Sequence, residues 1–181
     1  MKHALIIGGT GMLRKVTEYL SEKFETVSGI CRNKFRLDSN LKNINPLILD
    51  YSDYELLSKR IDEAVKQFGE IDLVVSWIHS TAPLAPKIIA EKINAYGKPF
   101  RFFDILGSAY ADPSKNKIER ENNFRGSSFL IYRKIILGFV IENKNSRWLT
   151  NNEISGGVIE AVKNDLEEKI IGRVSPWEMK P

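Results

Sequence analysis

The pattern in this chain best suited to chemistry lies near its start, where an apolar run of residues 4–7 ends in closely spaced glycines. Glycines between a buried strand and a helix let the backbone turn tightly and approach a pyrophosphate, and the free N–H groups of the helix start favour an anion. The turn is therefore predicted to bind the phosphates of a dinucleotide; the alternative is a plain strand-to-helix turn that binds nothing. Its residues are Gly8, Gly9, Thr10, Gly11, Met12 and Leu13.

One position departs from the usual glycine pattern. Counted from Gly9 and Gly11, the third glycine is replaced by Arg14. A side chain there would either push the helix away from the sheet or reach towards a phosphate.

The residues after the second predicted strand indicate which dinucleotide would bind. An NAD site places an acidic residue there to bind the ribose hydroxyls, whereas this chain has Arg32, Asn33 and Lys34. Cationic side chains suit a 2′-phosphate, and Arg32 could also stack on adenine. NADP is therefore the expected cofactor and NAD the alternative, unless these residues form only a solvated basic loop.

Alternating apolar runs and amphipathic segments would position these residues. Strands are predicted at 4–7, 27–31, 45–49, 71–78, 100–106, 129–142 and 169–174, and helices at 12–24, 52–67, 83–96 and 150–164. Capping-box patterns open two of the helices, at Ser52 with Glu55 and at Thr150 with Glu153. Residues 107–128 break the alternation and are predicted to be a loop with one helical turn near 118–122. The pattern predicts an α/β fold, a Rossmann-like doubly wound, mostly parallel sheet with helices on both faces, in a single domain of residues 1–181.

Composition excludes several classes of protein. With 43% hydrophobic and 28% charged residues, the 181-residue chain is globular rather than disordered. The single cysteine excludes an internal disulfide and a multi-cysteine zinc site, and with only two histidines no metal centre is expected. The net charge of +4 comes from interspersed charges, which suit a small phosphorylated ligand and not a nucleic acid. No apolar run is long enough for a signal peptide or a membrane span, so a cytoplasmic protein without a membrane partner is expected.

The sequence resembles the short-chain dehydrogenase/reductase superfamily from the glycine turn through most of the chain. Asp50 and Tyr51 resemble the family's acidic motif, whose Asp faces the adenine, and Ser108 stands where the family carries its catalytic serine. The segment from Trp77 to Ser80 stands where the family has Asn-Asn-Ala-Gly, and the resemblance places Trp77, Ile78 and His79 against the cofactor. A closer resemblance, to a group of short bacillus-type members of the family, lies in residues 8–13, 77–83 and 146–153.

The family's acid, a tyrosine with a lysine four residues later, is missing. The one such spacing, Tyr19 with Lys23, falls in the first helix and is a chance match. The helix that carries the pair in the family is predicted to be deleted or reduced to a turn. His79, after the fourth strand, is the best substitute, because ligands bind at that end of a parallel sheet and its ordinary pKa near 6.5 suits proton transfer. The alternatives are a histidine that satisfies loop carbonyls and a Ser108 that caps a turn.

Two functions follow from the resemblance and the residues together. The first is an NADP(H)-dependent oxidoreductase acting on a small carbonyl-type substrate, with His79 and Ser108 as catalytic candidates. The alternative is a non-catalytic NADP(H)-binding sensor or regulatory protein. The sequence does not identify the substrate, and the sheet edge that a lost helix would expose favours a homodimer.

Overall fold

Seven parallel strands form the central sheet in a computed structural model that describes residues 2–33, 41–112, 120–143 and 145–181. The strands of this sheet are β1 (His3–Ile7), β2 (Thr26–Cys31), β3 (Ile44–Ile48), β4 (Leu73–Ser76), β5 (Phe100–Leu106), β6 (Leu130–Leu137) and β9 (Glu168–Ile171). Their order is β3-β2-β1-β4-β5-β6-β9, and every neighbouring pair is parallel. The order reverses between β1 and β4, where open α/β sheets form a crevice at the carboxyl ends of their strands.

Four α-helices cover both faces of this sheet. They are α1 (Arg14–Lys23), α2 (Tyr54–Phe68), α3 (Ala85–Asn94) and α4 (Asn151–Asn164). The apolar sides of α2 and α3 pack on one face and those of α1 and α4 on the other, giving two separate cores. The predicted fold class is confirmed. No helix among the described residues has the length and apolar character needed to cross a membrane.

The two predicted capping boxes have different outcomes. Thr150 caps α4 as expected: its hydroxyl accepts from the Glu153 N–H at 3.3 Å and the Glu153 carboxylate accepts from the Thr150 N–H at 2.8 Å. The prediction for Ser52 was wrong. Asp53 is the N-cap of α2, since its carboxylate accepts from the Leu56 N–H at 3.0 Å.

The predicted long strand at 129–142 is divided in two. Strand β6 ends at Leu137, and β7 (Phe139–Glu142) leaves the sheet to form an antiparallel hairpin with β8 (Asn145–Trp148). Gly138 lies at the break, where a Cβ would overlap the Arg173 carbonyl. The cause is this close approach of the carboxyl-terminal segment, because Phe139 and Arg173 exchange two backbone hydrogen bonds of 2.8 Å there.

Two short 3-10 helices, Ser108–Ala111 and Arg120–Phe124, lie in the connection from β5 to β6. The second overlaps the predicted helical turn, and residues 113–119 lie outside the described part of the chain. This second turn is fixed to the sheet by an ion pair, in which Arg120 donates from Nε and Nη2 to the fully buried Asp104 at 2.8 and 3.3 Å. The Tyr132 hydroxyl donates to the same carboxylate at 3.2 Å.

A buried histidine links β1 to β2 and to the end of α2. The His3 Nδ1 lies 2.8 Å from the Gly69 carbonyl, which can only accept, so Nδ1 carries the proton and the Ser28 hydroxyl donates to Nε2 at 2.7 Å. Burial lowers the pKa of His3, against the opposing effects of the Gly69 carbonyl and Asp72. The folded protein therefore holds this imidazole neutral.

The buried ion pair gives a first prediction. Arg120→Met leaves the Asp104 charge buried without its partner and should lower the free energy of unfolding by about 3–5 kcal/mol. Arg60→Met is the matched control, because it removes an exposed pair with Glu63 on α2, worth about 0–1 kcal/mol. Urea unfolding measures both variants, and equal losses would contradict the assignment.

His3 gives a second prediction. The unfolded chain takes up a proton on this imidazole below about pH 6.5 while the folded chain resists it, so stability should fall as the pH falls. The slope is at most about 1.4 kcal/mol per pH unit for one proton. Urea unfolding between about pH 7.5 and 5.5 measures it. His79→Gln should keep the slope, and a free energy of unfolding that stays constant over this range would show the inference to be wrong.

Candidate functional site

A cleft of about 400 Å³ lies at the carboxyl ends of β1 to β4, at the point where the strand order reverses. We call it the nucleotide cleft. Its lining residues are Gly8, Thr10, Gly11, Met12, Ile30, Cys31, Arg32, Asn33, Leu49, Tyr51, Trp77 and His79. Nine of the cofactor-binding residues expected from the sequence meet there: the four turn residues Gly8, Thr10, Gly11 and Met12, together with Arg32, Asn33, Tyr51, Trp77 and His79.

The glycines of the turn have different roles. Gly8 has a φ of +83°, which L side chains rarely adopt, and a Cβ there would lie 3.2 Å from the Trp77 Cβ. Gly9 does not line the cleft; a Cβ on it would lie 2.5 Å from the Thr17 Oγ1, so it permits α1 to approach β1. Gly11 has no heavy atom of the described chain within 4 Å of a Cβ placed on it, which leaves its backbone open to the cleft.

The start of α1 is not capped by a side chain. Leu13 is the N-cap residue and is fully buried, so it anchors the turn rather than lining the cleft. The Arg14 N–H donates to the Gly11 carbonyl at 3.1 Å within the turn, and the partial positive charge of the helix terminus lies next to the cleft-lining residue Met12. Arg14 does not line the cleft, and its mainly exposed side chain pairs with Glu18 at 3.2 Å along the helix.

Helix α4 fixes the same turn from the other side. The buried Ser155 hydroxyl donates to the Met12 carbonyl at 2.8 Å. This contact could not be predicted from the sequence, because 143 positions separate the two residues and a serine in an amphipathic helix carries no signal of its partner.

The end of β2 supplies the cationic side of the cleft. Arg32 and Asn33 line it as expected, while Lys34 lies outside the described residues. None of the described residues that line the cleft is acidic, so its charge suits an anion. Cys31 lies there as well, and burial raises the pKa of its thiol, which keeps it neutral.

The segment after β3 is only half in the cleft. Tyr51 lines it, but Asp50 does not: the Asp50 carboxylate accepts from the Ser52 N–H at 2.9 Å and from its hydroxyl at 2.7 Å. These hydrogen bonds lower the pKa of Asp50, with a smaller contribution from the charge of Arg32. Asp50 thus closes the turn that leads into α2.

Of the three residues expected from the segment after β4, two reach the cleft. Trp77 and His79 line it, with their rings in an edge-to-face arrangement 5.4 Å apart. Ile78 is buried in the core beneath α2 and α3 and does not line the cleft. The alternation of side chains along an extended segment accounts for this division.

Ser108 lies in a second, smaller cavity of about 190 Å³, which we call the apolar cavity. Its lining residues are Trp77, Gly107, Ser108, Leu137, Gly138, Trp148, Leu149 and Ile154. The β7–β8 hairpin brings Trp148 and Leu149 to this cavity. Neither was predicted to lie at the site, because one continuous strand was expected in place of β6 and β7. The two catalytic candidates therefore line different compartments, with His79 in the nucleotide cleft and Ser108 in the apolar cavity.

An arginine holds this hairpin against α4. Arg147 donates from Nη1 to the Glu153 carboxylate at 2.9 Å and from Nη2 to Glu142 at 2.7 Å. Arg147 and the Thr150 cap together lower the pKa of Glu153 to about 2, so this contact is charged throughout the neutral range.

Among the described residues, Tyr51 is the one tyrosine that lines the nucleotide cleft, and no tyrosine lines the apolar cavity. Tyr132 is committed to Asp104, and burial together with that carboxylate raises its pKa. Tyr110 follows Ser108 in the first 3-10 helix, and the Arg120 Nη1 lies 3.5 Å from its hydroxyl. The described residues contain no group of three or more His, Cys, Asp or Glu side chains placed to hold a metal ion.

No family model and no curated protein matches the sequence, whereas solved structures match the fold over nearly the whole chain. A short chain dehydrogenase from Burkholderia cenocepacia in complex with NADP has a TM-score of 0.68 at 13% identity, covering 96% of this chain and 90% of that one. A glucose/ribitol dehydrogenase of the short-chain dehydrogenase/reductase type from Brucella melitensis has a TM-score of 0.68 at 13% identity, with 93% of each chain covered. A short-chain dehydrogenase/reductase from Serratia marcescens has a TM-score of 0.65 at 12% identity, covering 93% of this chain and 94% of that one. By its sheet order, its helices and its cleft, the chain has the fold of the short-chain dehydrogenases/reductases.

Proposed function

We propose that this protein binds NADP(H) in the nucleotide cleft and acts as an oxidoreductase on a small carbonyl-type substrate. The observation that carries the proposal is the cleft itself, which combines the open glycine turn, the uncapped start of α1 and a cationic side at one topological switch point. The fold similarity to dehydrogenases, one of them in complex with NADP, supports the same function.

Arg32 supports NADP(H) over NAD(H). A guanidinium at the end of β2 can donate two parallel hydrogen bonds to a 2′-phosphate. No acidic residue lines the described part of the cleft to bind a free ribose diol. NAD(H) remains the alternative cofactor.

His79 and Ser108 would assist the reaction. Bound NADPH would supply the hydride to the carbonyl carbon, and the resulting alkoxide oxygen needs one proton. His79, exposed at the edge of the cleft, would deliver that proton from its imidazolium. Ser108, which lines the apolar cavity on the other side of Trp77, would donate a hydrogen bond to the substrate from there.

A second candidate function is a non-catalytic NADP(H)-binding sensor or regulatory protein. The observation that favours it is the separation of the two catalytic candidates into different compartments. The buried Tyr132, held by Asp104, supplies no acid in their place.

Arg32→Ala tests the cofactor assignment. The variant should bind NADPH about tenfold more weakly, a loss of about 1.4 kcal/mol, while its affinity for NADH stays unchanged because NADH lacks the 2′-phosphate. Fluorescence titration with both cofactors measures the preference. Arg60→Ala, at an arginine on the surface of α2 paired with Glu63, is the control and should bind as the wild type. An unchanged preference in Arg32→Ala would make the assignment of the 2′-phosphate wrong.

His79→Ala tests the catalytic role. With a panel of aldehydes and ketones and saturating NADPH, the variant should lose about 10²–10⁴-fold in turnover. The absorbance of NADPH follows the reaction, and Ser108→Ala should show a smaller loss. Tight NADPH binding by the wild type without turnover of any compound would favour the sensor. If neither NADPH nor NADH binds, both candidate functions fall.

The single domain, the homodimer and the cytoplasmic location expected from the sequence stay predictions.

A further inference from the structure

We infer that Trp77 divides the ligand site into two compartments of different chemistry, and that its indole decides whether one ligand can span both. The inference rests on the proposed function and deepens it. It identifies Trp77 as a specificity-determining residue and the apolar cavity as the place for an uncharged ring or short alkyl group.

The indole lies across the site from one strand end to another. The backbone N–H of Trp77 donates to the Ile7 carbonyl at 3.2 Å, which fixes the backbone of Trp77 beside the glycine turn. A Cβ on Gly8 would lie 3.2 Å from the Trp77 Cβ, and a Cβ on Gly107 would lie 3.8 Å from the Trp77 Cη2 at the far end of the ring. The side chain thus reaches from the end of β1 to the end of β5.

This position makes Trp77 a wall between the two compartments. Among the described residues, it alone lines both the nucleotide cleft and the apolar cavity. The indole lies beside Gly8 at one end and beside Gly107 at the other, so it fills space that a larger neighbour at either position would have taken.

The two compartments differ in chemistry. The nucleotide cleft carries the cation of Arg32 and the polar groups of Thr10, Asn33 and His79. The apolar cavity is lined by aliphatic and indole side chains, and among its described lining residues only Ser108 has a hydroxyl and none has a charge. Burying a charged group there without a partner would be costly, so a neutral group is the expected occupant.

The volumes agree with this division. Sites for small molecules measure about 300–1,000 Å³, so the nucleotide cleft of about 400 Å³ is large enough for a nucleotide by itself. The apolar cavity of about 190 Å³ is smaller than such a site and accommodates only a fragment. A dinucleotide would place its adenosine half in the cleft and would have to displace the indole before its nicotinamide half entered the cavity.

Displacing the indole lowers the apparent affinity for the spanning ligand. When only a fraction of the molecules has the indole moved aside, the apparent Kd rises by the inverse of that fraction. A ligand that occupies the cleft alone, such as adenosine 2′,5′-bisphosphate, does not meet this cost. The two ligands share the groups that would contact Arg32, so their comparison isolates the effect of Trp77.

Calorimetric titration of the wild type, Trp77→Ala and Trp77→Phe with NADPH and adenosine 2′,5′-bisphosphate tests the inference. The wild type should bind the two ligands with similar Kd. Trp77→Ala should bind NADPH about tenfold more tightly, as expected if about one molecule in ten is open in the wild type, with an unchanged Kd for the bisphosphate. Trp77→Phe, with a smaller ring, should move in the same direction by less. Trp177→Ala, at a tryptophan of the tail that lines neither compartment, should match the wild type.

Each other outcome has a defined meaning. Weaker NADPH binding by Trp77→Ala with unchanged bisphosphate binding would show that the indole holds the nicotinamide half, and would overturn the inference. Equal changes for both ligands would mean that Trp77 only maintains the fold of the cleft, and would overturn it too. Binding of adenosine 2′,5′-bisphosphate also shows whether a variant is folded. If Trp77→Ala does not fold, the comparison of Trp77→Phe with the wild type tests the inference instead. If the wild type binds neither ligand, the proposed function falls and the inference with it.

Discussion

At Gly9 the first helix comes so close to the first strand that no side chain fits between them, and the site depends on this contact. The Thr17 hydroxyl fills the remaining space and donates to the Gly9 carbonyl at 2.9 Å. Because α1 is held at this distance, its uncapped start faces the carboxyl end of β1. The backbone of Gly8 then turns against Trp77, and the two compartments follow from where that indole lies. A bulkier residue at position 9 would disturb the turn, the start of the helix and the wall together.

The alternation of strands and helices could be predicted from the sequence because it depends on local patterns. The apolar run before Gly8 and the capping box at Thr150 are each specified within a few residues. The break of the strand at Gly138 could not be predicted, because its cause is the backbone of Arg173, far along the chain. The place of Asp50 was missed for a different reason: a carboxylate can bind a ligand or close a turn, and only the neighbouring Ser52 donors decide between them.

The β5–β6 connection shows how a sheet can be covered where the described residues supply only short helical turns. The aromatic ring of Phe124 packs on Phe102 and Tyr132, with ring centroids 5.1 and 4.9 Å away, and Arg120 neutralises the buried carboxylate beside them. A buried ion pair brings little net stability, but removing one partner is strongly destabilising, so the pair opposes detachment of this segment from the sheet. Ser108 and the apolar cavity are positioned next to this anchored segment.

The hydrogen bond from Ser155 to the Met12 carbonyl joins the first loop of the chain to its last helix. During synthesis, the glycine turn leaves the ribosome before α4 has been made. The strands and helices that precede α4 therefore lack this hydrogen bond until that helix follows. Contacts between residues so far apart in sequence form late and slow folding. We therefore expect the nucleotide cleft to be completed only when α4 packs on the glycine turn, which is made well before that helix.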